Sequence, residues 1–181
     1  RQNLVFCFIM CYTVFNKEKR ADTMLDLNNL EKYKENNRIE AKEAMGGLPH
    51  SIWETYSAFA NTLGGIILLG VAEAEDKSLY SIDLDVPEKL ITEFWDIINN
   101  TEYVSRNILS EEDVKVRRAD GKRVIVIRVP PADDKEKPVY IGKDVFHGTY
   151  IRCGEGDYRC NPDQVKEMIE NSKRSCEHTL W

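Results

Sequence analysis

Glu40 and Lys42 stand two residues apart in the run Arg38-Ile39-Glu40-Ala41-Lys42. In an extended chain that spacing puts both side chains on one face. A carboxylate and an ammonium aimed at one site suit phosphodiester chemistry. Carboxylates hold Mg²⁺ or Mn²⁺, while a lysine orients water or offsets the charge that develops at phosphorus. Glu35 enters just before this segment, and Glu73 follows the apolar run Ile66 to Val71. Glu35, Glu40, Lys42 and Glu73 are therefore the candidate catalytic residues, with Glu35, Glu40 and Glu73 as metal ligands and Lys42 as an electrostatic helper. The same Glu-x-Lys spacing also marks an ordinary solvated strand face.

A second set is cationic. Lys115, Arg117, Arg118, Lys122, Arg123 and Arg128 crowd one predicted hairpin, with Asp120 the only acidic residue among them. A basic two-stranded ribbon can follow a phosphate backbone or enter a groove; the alternative is a solvated hairpin with ordinary charges. Tyr150 and Arg152 share a strand face and offer a stacking ring and a phosphate fork. Equally, Tyr150 fits a half-buried sheet position with its hydroxyl in water. His50, His147 and His178 show no ligand spacing, and no nucleophile elbow supports a Ser-His-Asp arrangement.

The elements that must position these residues follow from periodicity. Residues 26–34 read as a short helix with Leu27, Leu30 and Tyr33 loosely on one side. Residues 38–43 alternate as a strand, with Ile39 and Ala41 opposite Glu40 and Lys42. After the turn Gly46-Gly47-Leu48-Pro49, a helix runs to about Leu63 with Ile52, Tyr56, Phe59, Ala60 and Leu63 at helical spacing. Gly64 suits the C-cap, and Ile66 to Val71 is a strand buried on both faces. Helix, glycines, strand is the reverse of a phosphate-cradling loop, so Gly64 and Gly65 read as structural.

A second helix begins at Asp85 and Pro87 and continues through Ile98. The hairpin pairs Val114 to Arg118 with Arg123 to Val129 around Asp120-Gly121. Val139 to Ile141 and Phe146 to Arg152 read as another strand pair around Gly142-Lys143-Asp144, followed by a flexible Gly154-Glu155-Gly156. Asn161-Pro162-Asp163-Gln164 is a capping-box helix start. These elements predict an α+β fold: one mixed β-sheet with helices packed on it.

Composition sets the bounds. With 181 residues, 42% hydrophobic and 31% charged, the chain fits one soluble domain plus tails. A net charge of −6 argues against indiscriminate coating of nucleic acid, which needs many phosphate-neutralising side chains. The cysteines number five and form no Cys-x-x-Cys pair, so neither a disulfide framework nor a structural zinc is expected, and the cytoplasm is the expected compartment. The apolar run Leu4 to Phe15 is shorter than the roughly 20 residues that cross a bilayer, and no cleavage site follows it. No membrane partner is expected. Residues 1–24 read as an extension not native to the domain, with Met24 an alternative start; residues 25–158 form the domain, and 159–181 a C-terminal helix and tail.

In order along the chain come Glu35…Glu40-x-Lys42, Ala58-Phe59-Ala60-Asn61-Thr62-x-Gly64-Gly65, the strand ending Gly70-Val71, Lys137-Pro138-Val139-Tyr140 and Tyr150-Ile151-Arg152-x-Gly154. With these pieces the chain resembles the Schlafen AlbA-like domain of bacterial transcriptional regulators, also labelled divergent AAA-type ATP-binding proteins. The resemblance covers Leu27 to Asp157 and implies a single α+β lobe that binds nucleic acid. In animal Schlafen proteins, two Glu of the first motif and an acidic residue after the Gly-Val strand form a ribonuclease site for structured RNA such as tRNA. The matching positions here are Glu35, Glu40 and Glu73, with Glu75 or Asp76 as other registers for the third. The zinc-binding His/Cys set of the animal proteins is not recognisable, and their clamp uses two lobes. A single lobe implies a homodimer or a binding-only role.

The expected function is a nucleic-acid-binding domain, for DNA or RNA, in a transcriptional regulator, with the acidic cluster beside the basic ribbon. The rival is an endoribonuclease dependent on Mg²⁺ or Mn²⁺. A third class is a protein-interaction or assembly module.

Overall fold

The computed structural model describes residues 25–177, so the leading apolar run and the last residues lie outside it. Four strands form the main sheet. Ile39–Lys42 is β1, parallel to β2, Gly65–Leu69. The long apolar alternation Lys122–Val129 is β6, antiparallel to β2, and Val114–Ala119 is β5, antiparallel to β6. The order β1-β2-β6-β5 makes β1 and β5 the two edges. Three strand spacings, roughly 14 Å, separate them.

Two amphipathic helices cover one face: α1, Ile52–Asn61, and α2, Pro87–Ile98. Trp53, Tyr56, Phe59, Leu90, Phe94 and Ile98 pack there against Ile67, Leu69, Ile125 and Ile127. The Trp53 and Phe94 rings stack with centroids 5.1 Å apart. On the other face a smaller cluster gathers Leu30, Leu68, Val71, Leu79, Ala119 and Val124.

The α1–β2 joint explains its glycines. Gly64 N–H donates to Phe59 O at 2.9 Å, its φ of +71° favours glycine, and a Cβ there would lie 2.6 Å from Val129 O. A Cβ at Gly65 would lie 2.7 Å from the Phe59 ring, so the strand leaves the helix at a distance no side chain permits.

The expected strand Ile66 to Val71 divides at Gly70. Its continuation, β3, Val71–Glu73, pairs instead with β4, Leu79–Ser81, in a separate sheet. The helix expected over 26–34 shrinks to a 3₁₀ turn at Leu30–Lys32. Asp26 accounts for this, because its carboxylate accepts from Asn28 N–H and the Asn29 amide and so competes with helical bonding.

The strand pair expected around Gly142 is also absent. Asp144 accepts from Phe146 N–H and opens a short helix, α3, Val145–Gly148, leaving single bridges at Tyr140–Thr149 and Val104–Ile141. The chain then forms β7, Tyr150–Cys153, which turns at the supposedly flexible Gly154 and pairs with β8, Gly156–Arg159. Helix α4, Pro162–Glu177, follows. Its capping box closes reciprocally: Asn161 N–H donates to Gln164 at 2.9 Å and Gln164 N–H to Asn161 at 3.0 Å.

Candidate functional site

Register decides what Glu40 sees. Opposite Ile67, it projects to the helix-covered side, and only 6% of it is exposed. A carboxylate there requires cations, and it has two. Lys42 Nζ donates to Oε1 at 2.5 Å, and Arg152 Nη2 to Oε2 at 2.7 Å. Arg152 also donates from Nη1 to Asp157 on β8 at 2.8 Å, and from Nη2 to Asn36 O at 2.8 Å. Asp157 in turn accepts from Thr55 of α1 at 2.6 Å. The guanidinium lies 5.1 Å over the Phe59 ring. Burial works against the Arg152 charge, but Asp157 and Glu40 outweigh it and raise its affinity for the proton.

This corrects the expectation for Arg152. Its side chain is 1% exposed and its donors are spent on carboxylates and backbone carbonyls, so it offers no phosphate fork. Tyr150 is corrected likewise. It is buried, its hydroxyl donates to Glu54 and accepts from Arg159, and the Arg159 guanidinium covers its ring at 5.8 Å. No face is left on which a base can stack.

Glu35 Oε1 accepts from Ala41 N–H at 2.9 Å. Burial raises the Glu35 pKa; the Ala41 bond opposes this, Glu40 and Glu73 raise it further, and Lys42 offsets part of their effect. Glu35 therefore lies within the field of Glu40, Glu73 and Lys42. Glu73, at the end of β3, pairs with Lys77 at 2.9 Å. Asp76 is exposed, and bonds from Ser78 to its carboxylate hold its pKa below the usual range. Among the described residues no three His, Cys, Asp or Glu side chains are grouped to hold a metal ion. With both Glu40 oxygens taken by cations, the carboxylates as they stand do not fit Mg²⁺ or Mn²⁺.

The remaining quoted motifs meet at Asn61. Its amide nitrogen donates to Val139 O at 2.7 Å and Tyr150 O at 3.0 Å, and its oxygen accepts from Val139 N–H at 2.8 Å. Ser57, one turn earlier, donates to Val139 O and accepts from Tyr150 N–H. Helix α1 thus ties together the segments around Val139 and Tyr150. Sequence reasoning passed over Ser57, Thr55, Asn61 and Asp157; the available signal was polar residues among the apolar positions of a buried helix.

The cations of β5 and β6 divide between faces. Lys115, Arg117 and Lys122 pair with Val126, Val124 and Ala119, and Arg128 pairs with Ile66; all lie on the sheet face opposite α1 and α2. Arg118 and Arg123 pair with each other on the helix-covered side, at its rim. Lys115 meets Glu112 at 3.2 Å and Arg123 meets Asp83 at 3.4 Å. Arg117, Arg118, Lys122 and Arg128 are exposed and make no ion pair among the described residues. Glu40 and Lys42 do not sit beside this ribbon: β1 and β5 are opposite edges, and Glu40 projects to the other face from Arg117.

Among the described residues no helix is long and apolar enough to cross a membrane. A comparison with curated proteins finds no match. Among solved structures the chain is similar to the N-terminal domain of a Nitrosomonas europaea protein named as an ATP-dependent DNA helicase RecG-related protein. The identity is 30% over 74% of this chain and 90% of that one, with a TM-score of 0.54. It is also similar to the DIP2311 protein of Corynebacterium diphtheriae, at 20% identity over 74% of this chain and 24% of that one, with a TM-score of 0.48. The family model described as Schlafen, AlbA_2 matches residues 35–161, more than half of the chain, and the chain belongs to that family.

Proposed function

We propose that this chain is a nucleic-acid-binding domain of a cytoplasmic transcriptional regulator, and that it works through the β5–β6 ribbon. The observation that carries the reading is the set Arg117, Lys122 and Arg128, exposed on one face of the ribbon and without carboxylate partners among the described residues, on a chain whose net charge is −6. Unpaired cations concentrated on one ribbon of an acidic protein attract a polyanion locally and leave the remaining surface repulsive to it. Likeness to the N-terminal domain of a protein named as DNA helicase RecG-related supports the same ligand class.

Retention of labelled duplex DNA and tRNA over a salt series tests this. Binding that falls steeply with salt, and that is lost in Arg117→Glu/Arg128→Glu, is the expected result. Equal retention by the double variant leaves a protein-interaction module as the surviving reading.

The rival reading, a metal-dependent endoribonuclease, would need Glu40 to give up Lys42 or Arg152, the cations that hold both its oxygens. Incubation of tRNA with Mn²⁺ tests it. Cleavage by the parent protein that disappears in Glu73→Gln supports it, and intact tRNA with the parent protein removes it.

A further inference from the structure

Strand register fixes where each cation stands along the ribbon. With β6 as a ruler, Arg128 projects at one end of the face opposite the helices. Lys115 lies abreast of Val126, two residues on; Arg117 abreast of Val124, two further; and Lys122 follows after two more. Two residues of strand advance roughly 6.7 Å, so along the strands the charges climb in equal steps over roughly 20 Å, with the first and last steps also crossing the roughly 4.8 Å between β6 and β5. That step is close to the separation of neighbouring phosphates along one polynucleotide strand. The other members of this face on β5 and β6 are Val124, Val126 and Ala119, none of them aromatic. Evenly stepped cations can hold a phosphate at each step, and β5 and β6 themselves offer no ring for a base; Tyr33, the ring packed against this face's apolar cluster, is partly buried.

We propose that this track binds consecutive phosphates of one polynucleotide strand, in the order Arg128, Lys115, Arg117, Lys122, without reading base identity. The inference rests on the nucleic-acid reading above and specifies its ligand contacts. Arg118 and Arg123, on the opposite face, stand off the track, and Arg123 is held by Asp83. Lys122 donates to Ser81 O at 2.7 Å and keeps its other N–H donors for a phosphate. Glu112, 86% exposed, occupies Lys115 at one end and acts as a displaceable competitor.

Fluorescence anisotropy of the full chain with labelled oligothymidylate over a salt series reads the number of phosphates neutralised. Contacts at all track positions give a slope of log K against log salt of about −2.8, at about −0.7 per phosphate for single strands. Arg128→Gln, Lys115→Gln, Arg117→Gln and Lys122→Gln each flatten the slope by about 0.7 and weaken oligothymidylate and oligoadenylate alike. Arg118→Gln and Arg123→Gln leave the slope unchanged, and Glu112→Gln tightens binding.

Slopes that flatten as much for Arg118→Gln and Arg123→Gln overturn the track in favour of unregistered attraction. Competition by polyglutamate as strong as by the oligonucleotide also overturns it, since any acidic chain would then suffice. If no oligonucleotide binds at all, the nucleic-acid reading itself falls, a result distinct from binding to which all the ribbon cations contribute equally.

Discussion

Arg152 and Arg117 are the same side chain put to opposite uses. Arg152 is enclosed between Glu40, Asp157 and the Phe59 ring, and its contacts join an edge strand, a helix and the β7–β8 hairpin. Arg117 stands exposed on the far edge of the sheet, its side chain bonding, among the described residues, only to the neighbouring Val116 carbonyl. A buried charge must be fully matched, because the interior penalises any carboxylate or guanidinium left alone. An exposed one is solvated and stays available. The quoted motifs Glu-x-Lys and Tyr-Ile-Arg therefore feed the enclosed region, while the groups free to meet a ligand lie outside every quoted motif.

The comparison breaks most cleanly when both arginines receive the same substitution. Arg152→Gln leaves Glu40 and Asp157 buried without their shared cation and is expected to cost about 3–5 kcal/mol in urea unfolding. Arg117→Gln is expected to leave the unfolding midpoint where it was and to weaken only oligonucleotide binding. If Arg152→Gln unfolds at the parental midpoint, the enclosed region is not what holds the hairpin to the sheet. The next effect in size belongs to Asn61→Ala. It strips partners from the buried Val139 N–H and Tyr150 O, which is expected to cost about 2–3 kcal/mol. Amide exchange should then accelerate at Val139 before it does so in β2. Unchanged protection at Val139 would mean that Asn61 is not its anchor.

Much of the fold was legible because its signals are local. Asp120-Gly121 between alternating apolar runs announced the β5–β6 hairpin, and Asn161 with Gln164 announced α4. Period-two alternation also placed Glu40 and Lys42 together. It could not say which side of β1 would be covered, because a strand's two faces become unequal only when helices pack. Arg152 was misread for that reason: a guanidinium on a strand looks alike in sequence whether carboxylates or solvent face it. β8 was missed because Gly154-Glu155-Gly156 has loop composition, and its pairing depends on β7 alongside. The distance between acidic edge and basic ribbon depends on strand order, which no window of sequence contains.

Glu35 links the enclosed region to solvent and gives the smallest expected effect. Its pKa is raised mainly by burial and then by Glu40 and Glu73, so the folded chain holds the Glu35 proton more tightly than the unfolded chain does. The sign follows by linkage. Its contribution to stability is complete below the ordinary carboxylate value and is lost as pH rises through the raised folded value. Glu35→Gln is neutral throughout and keeps an oxygen for Ala41 N–H. The variant should therefore gain on the parent as pH climbs from the acid range towards neutrality, and the two curves should run parallel once Glu35 is fully ionised. Half-burial screens the charge, so the gain stays well below the Arg152 effect. Adding Glu73→Gln should reduce the gain if those carboxylates repel. Parallel stability curves for parent and Glu35→Gln across the whole range would mean that neither burial nor its neighbours raise the Glu35 pKa, and an unchanged gain in the double variant would separate Glu35 electrically from Glu73.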